Sequence, residues 1–197
     1  MATRTIVAVA LLLVMGAASP AWSGDVEDCA DGSLLKTEPA RVAAACRRLA
    51  TQGNAQAQHN LGFLYASGQG VPLDYAEALQ WYRKAADQGN AFAQSNLGVA
   101  YAGGQGVPRD LAEAAKWFRK AADQNNAVAQ FVLGHMYASG EGVARDYVQT
   151  YKWWSLAAAQ GNSDATANLG RVAAMMTTAQ IDQGKALAAA WKPTTGQ

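Results

Sequence analysis

Apolar positions along this chain recur at helical spacing, and the whole pattern then recurs at a longer fixed step. Leu61-Gly62, Leu97-Gly98, Leu133-Gly134 and Leu169-Gly170 are each 36 residues apart (97 − 61, 133 − 97, 169 − 133). Tyr65, Tyr101 and Tyr137 keep that step, as do Trp81, Trp117 and Trp153, and Asp74, Asp110 and Asp146. Within one period the apolar residues form two stripes of 3.6-residue periodicity. Ala57, Leu61 and Tyr65 share the first face. Tyr75, Ala78, Leu79, Trp81, Tyr82, Ala85 and Ala86 share the second, opposite Glu77, Gln80, Arg83, Lys84 and Asp87. The pattern predicts two helices per period, A then B, stacked into an all-α solenoid.

Turn chemistry sets the boundaries. Helix A follows Asn54, Asn90, Asn126 and Asn162, a favoured N-cap residue. It stops at Gly68, Gly104 or Gly140, where a left-handed residue closes the helix. Helix B opens on Asp74-x-x-Glu77, Asp110-x-x-Glu113 and Asp146-x-x-Gln149, the spacing of a capping box. It ends at Gly53, Gly89, Asn125 and Gly161. Full units are therefore expected at 55–90, 91–126 and 127–162. Residues 37–54 read as half of an incomplete leading unit. Its helix opens at Thr37-Glu38-Pro39, with a capping hydroxyl and a first-turn proline, and runs to about Thr51. Residues 163–191 read as a shortened terminal unit. It has a last helix A over Ala165–Met176 and a final helix opened by Thr177-x-x-Gln180. Residues 192–197 form a tail.

The string Ala57-Gln58, Leu61-Gly62, Tyr65-Ala66, Gly68-x-Gly70-Val71, Asp74, Ala78, Trp81 and Lys84-Ala85-Ala86 recurs nearly intact twice more. These units resemble Sel1-like repeats, relatives of tetratricopeptide repeats with a longer period and a Gly-x-Gly loop. The resemblance covers residues 37–191. It implies a right-handed superhelix of helix pairs with helices A on the concave side. It also implies a non-catalytic protein-interaction scaffold, resembling exported bacterial regulators and assembly factors of the periplasm and cell envelope. Cysteine-rich relatives bridge the two helices of each unit; those cysteines are missing here.

The N-terminus has the layout of a secretory signal peptide. Arg4 precedes an uncharged apolar run, Ile6 to Ala18, and Ala21-Trp22-Ser23 offers small residues before a cut at Ser23–Gly24. The run is shorter than the roughly 20 residues of a spanning helix, so no stable membrane insertion is expected after cleavage. The expected location is periplasmic or secreted, with residues 24–36 as a mobile polar lead-in. In such a compartment Cys29 and Cys46, the only cysteines, are expected to pair.

Charge narrows the partners. Lys plus Arg total 16 and Asp plus Glu 15, a net charge of +1 with no basic excess or run, so no nucleic-acid partner is expected. The Gly-x-Gly loops follow helices and lack the Lys-Ser/Thr of a phosphate loop. His59 and His135 are about two units apart, too far to share a metal. No cofactor or metal is expected. Ser33-Leu34-Leu35-Lys36 fits the Ser-x-x-Lys pattern of penicillin-binding enzymes, without its companion motifs. It carries the alternative reading, a cell-wall-active protein that binds or hydrolyses peptidoglycan or a β-lactam. The regular spacing of Trp81, Trp117 and Trp153 points to core packing. Recognition is expected where units differ, on the helix A face opposite Leu61: His59 and Phe63, Ser95 and Val99, Phe131 and His135, and finally Arg171. The expected partner is a protein or peptide of the cell envelope.

Overall fold

The computed structural model describes residues 20–194, with side chains from Ser23 onward. The described residues form eleven α-helices and no strand. The three full units are α4 (Ala55–Ser67) with α5 (Tyr75–Asp87), α6 (Ala91–Gly103) with α7 (Leu111–Asp123), and α8 (Ala127–Ser139) with α9 (Tyr147–Ala159). In each, helix A packs on its own helix B and on helix B of the preceding unit. The result is the all-α stack that the periodicity predicts.

Side-chain caps fix where the helices of the full units start. Asn54 Oδ1 accepts from the Ala57 N–H at 2.9 Å, and Asn90, Asn126 and Asn162 repeat the bond. Asp74, Asp110 and Asp146 cap helix B in the same way. The reciprocal half of the expected capping box is not made there. Each Asp N–H instead donates to a tyrosine carbonyl of helix A, Tyr65, Tyr101 or Tyr137. That bond ties the two helices together and frees the N3 side chain. Glu77, expected to face water, turns inward and accepts from Trp81 Nε1 at 3.0 Å. Among the described residues only Thr177 and Gln180, at the start of the last helix, form the complete box.

The repeated glycines have separate duties. Gly62, Gly98 and Gly134 lie under the rings of Tyr82, Phe118 and Trp154, where a Cβ would come within 2.8 Å of the ring. The second glycine of each Gly-x-Gly loop meets the preceding helix B. A Cβ on Gly70 would lie 2.1 Å from the Pro39 carbonyl oxygen, and Gly106 and Gly142 meet Tyr75 and Leu111 likewise. Those three contacts are first residues of α3, α5 and α7. A buried glutamine row runs alongside. Gln58, Gln94 and Gln130 each donate to a carbonyl of the preceding helix B (Ala50, Ala86, Ala122) and accept from Gln88, Gln124 or Gln160 of their own unit. Buried amides are tolerated because their partners are supplied.

The leading unit differs from expectation. Residues 24–36 are not a mobile lead-in. Helix α1 (Pro20–Ala30) and the short α2 (Leu34–Thr37) pack on α3 (Pro39–Thr51). Arg41 pairs with Asp28 at 2.9 Å, Arg48 pairs with Asp25, and a disulfide joins Cys29 to Cys46. Helix α1 sits in helix A register, since Cys29 is 36 residues before Tyr65 and Cys46 is 36 before Tyr82. The half unit expected at 37–54 is thus a whole, degenerate unit. Thr37 belongs to α2 rather than capping α3, whose N-cap Glu38 makes no side-chain bond. The signal-like run to Ala18 lies outside the described residues, whereas the Ser23–Gly24 bond lies inside α1.

At the other end, α10 (Ser163–Ala173) stops earlier than the Met176 expected. Helix α11 (Thr178–Ala190) turns back onto α9, with Gly184 against Tyr151. Trp191 meets Trp153 edge-on at 6.4 Å, and the Thr194 N–H donates to the Asp123 carbonyl at 2.8 Å. The apolar end of the stack is closed by the chain's own tail. Residues 195–197 lie outside the described residues.

Candidate functional site

Repeat-invariant positions point inward. Leu61, Leu97 and Leu133 are fully buried, and so is Trp153, with Trp81 and Trp117 nearly so. Lys84, Lys120 and Lys152 each hold an ammonium 4.0 Å above one of these tryptophan rings. Arg47 and Arg83 donate to the hydroxyls of Tyr65 and Tyr101 at 2.7 and 2.5 Å, and Arg119 donates to Tyr137. The cations of helix B are therefore engaged with the fold's own aromatic groups.

The helices A of the three full units expose large apolar side chains. Phe63 of α4 is 44% exposed, Phe92 and Val99 of α6 are 61% and 47%, and Val128 of α8 is 59%. These side chains form an apolar row across three successive units. Phe92 and Val99 are seven residues apart, as are Val128 and His135, so each pair shares a helical face. Phe92 and Val128 are absent from the sequence-predicted set. The signal for them is present, since Gln56, Phe92 and Val128 differ at one repeat position.

The predicted residues divide. Phe63, Val99, His135 and Arg171 are exposed, and Arg171 donates to Asn168 at 3.4 Å. Ser95 is buried, only 6% exposed, and cannot line a groove. Phe131 is half-buried, its ring stacked on Trp154 at 6.2 Å. His59 is half-buried between two units, with Tyr82 and Phe92 at 6.0 and 5.9 Å. Its Nε2 faces the Asn96 amide at 3.2 Å and its Nδ1 the Asn60 carbonyl at 3.1 Å. The Asn96 amide nitrogen donates, so Nε2 accepts, and Nδ1 carries the proton toward Asn60 Oδ1, the nearer of its two neighbours, with the Gln56 amide nitrogen farther away at 3.4 Å. Burial holds its pKa below the usual histidine value, against the opposing effect of the Asn60 bond. The two histidines thus do not act as a pair: one is structural, the other exposed.

Beside Phe63 a cavity of about 310 Å³ opens between the α1–α2 corner, α3 and α4. Its lining includes Leu35, Val42, the Cys29–Cys46 disulfide, Asn60 and Leu64. The equivalent groove one unit later is smaller, about 160 Å³. In the Ser-x-x-Lys fragment, Ser33 Oγ donates to Asp31 Oδ1 at 2.6 Å, and the Lys36 backbone N–H donates to the Ser33 carbonyl at 3.1 Å. Among the described residues no cluster of three metal-binding side chains occurs. None of their helices is long and apolar enough to cross a membrane.

A stack of capped helix pairs with an invariant interior and a variable apolar face defines a repeat protein of the interaction type. The chain belongs to the Sel1 repeat family, which matches at residues 55–90, 91–126 and 127–162. Sel1 repeats generally serve as protein-interaction scaffolds. Among solved structures, the Sel1 repeat protein from Oxalobacter formigenes is 40% identical, with a TM-score of 0.65 over 70% of this chain and 57% of that one. The protective antigen c5321 of uropathogenic Escherichia coli is 30% identical, with a TM-score of 0.58 over 83% of this chain and 44% of that one. This chain thus spans about half the length of both. Helicobacter pylori cysteine rich protein B shares the fold at 21% identity, with a TM-score of 0.55 over 65% of this chain and 95% of that one. No curated protein matched the chain.

Proposed function

We propose that this chain is exported to the periplasm or cell envelope. There it acts as a non-catalytic scaffold or regulator, binding a protein or peptide through the outward face of its helices A. The observation that carries this reading is the exposed row Phe63, Phe92, Val99 and Val128, when among the other described large apolar groups only Val26, Leu73 and Met175 are exposed to a like degree. Exposed apolar groups aligned over several units mark interaction surfaces, and aromatics dominate binding hot spots. The signal-like N-terminus and the Cys29–Cys46 disulfide support export.

The test is affinity capture from envelope extract on the protein beginning at Gly24, repeated with a Phe63→Ala, Phe92→Ala double variant. The variant should remain folded with a melting temperature only slightly below the parent's, since Phe92 is 61% and Phe63 44% exposed. It should lose captured partner by at least about tenfold, the 1.4 kcal/mol expected from two anchor rings. Undiminished capture by the folded variant would move the site elsewhere.

A further inference from the structure

The cavity beside Phe63 exists because the leading unit lacks a ring that each of the three full units has. In those units an aromatic side chain of helix B lies on the Leu-Gly glycine of helix A: Tyr82 on Gly62, Phe118 on Gly98, Trp154 on Gly134. One period earlier the ring position is Cys46 and the glycine position is Val26. Cys46 is tied to Cys29, which in turn stands where later units have Tyr65, Tyr101 and Tyr137. A disulfide holds the helices together where a ring filled the groove. The vacated space appears in the volumes, about 310 Å³ here against about 160 Å³ where Tyr82 is present. Its floor is apolar and Phe63 forms one wall.

The mouth carries a charge. Asp31 lines the same cavity. Its Oδ1 accepts from the Ser33 N–H at 2.7 Å, the Ser33 hydroxyl at 2.6 Å and the Leu34 N–H at 3.1 Å. Among the described residues no donor reaches Oδ2. The bonds to Oδ1 fix the carboxylate and hold its pKa below the usual range, Ser33 contributing most. An oriented anion beside an apolar, ring-sized opening is complementary to a ring next to a cation.

We propose that this cavity is the anchor pocket for a peptide segment of the partner, which inserts an aromatic side chain in place of the missing ring and sets a neighbouring Lys or Arg against Asp31. The assignment rests on the scaffold reading and adds the chemistry of the partner. A cavity at the lower end of the roughly 300–1,000 Å³ range of small-ligand sites suits one large side chain better than a whole cofactor.

Three capped dipeptides test it on isotope-labelled protein by amide chemical-shift mapping: N-acetyl-Phe-Lys-amide, N-acetyl-Ala-Lys-amide and N-acetyl-Phe-Glu-amide. The first should shift amides of residues 29–35 and 59–64 with millimolar affinity. The alanine probe should give no saturable shift, and the glutamate probe should bind about two- to fivefold more weakly, as expected for one exposed charge pair. Leu35→Trp, which fills the cavity from its wall, should abolish the shifts while circular dichroism shows the fold intact. Asp31→Asn should bring the lysine and glutamate probes to equal affinity. Should Leu35→Trp misfold, the Asp31→Asn comparison decides alone. Shifts confined to other units, shifts equal for all three probes, or a second copy filling the cavity, seen as concentration-dependent dimerisation, would overturn the proposal. Envelope capture separates the two readings. Undiminished capture by folded Leu35→Trp removes the pocket and leaves the scaffold, whereas failure of the parent to capture any protein removes the scaffold.

Discussion

At position 70 glycine is required twice over. Its φ is +72°, a region that costs other residues roughly 1–3 kcal/mol, and a Cβ would lie 2.1 Å from the Pro39 carbonyl. Gly53 separates the two effects, with φ +92° and nothing within 4 Å of an added Cβ. Gly53→Ala should therefore show backbone strain alone, and Gly70→Ala strain plus a backbone collision between units. By thermal melting, Gly53→Ala should lower the midpoint by a few degrees, at about 2–4 °C per kcal/mol for a chain of this size. Gly70→Ala should lower it at least about twice as far; equal losses would mean that the loop moves away from Pro39 at no cost. The glycines, caps and core tryptophans were legible in the sequence because each recurs three times, and repetition identifies a structural requirement. Ser95 was misassigned for a related reason. Angular position on helix A places it outward, but neighbouring elements, which a single helical wheel omits, cover it, and they half-cover Phe131.

At the scale of the element, each helix A is held by two helices B, and His59 lies in the seam between α4 and α6. Protonation would put a donor on Nε2 facing the Asn96 amide, also a donor, and would charge a half-buried ring. Folding thus lowers this pKa from its ordinary 6.5. The unfolded chain takes up a proton near pH 6.5 that the folded chain resists, so the stability from neutral His59 is complete above that pH and declines as pH falls below it. The parent should lose more stability between pH 7.5 and 5.5 than His59→Gln does, measured by urea denaturation at each pH. Parallel curves for the two proteins would show that His59 is solvated in the fold. The degenerate leading unit also belongs at this scale. It escaped the sequence reading because cysteines stand at the Tyr65 and Tyr82 positions, Ala45 at the tryptophan position, and Asp25-Val26 where Leu-Gly recurs. Only the register of α1 against α4, visible once both are helices, exposes the missing period.

Across the whole molecule, one surface is spent on cohesion and another is the one proposed for recognition. The helices B cover their tryptophans with lysine and reach with arginine to the tyrosines of the following helices A. The ends are closed, by a disulfide-tied unit at one and by α11 with Trp191 at the other. The helix A side keeps Phe63, Phe92, Val99 and Val128 in water. Site-specific photo-crosslinking in living cells tests this division most directly. A benzophenone side chain is placed at position 92 or 99 on the helix A side, or at the exposed Gln80 on helix B. Irradiation should yield one discrete adduct with an envelope protein from positions 92 and 99 and none from position 80. An adduct from position 80 with none from 92 or 99 would contradict the assignment of the interaction surface to the helices A.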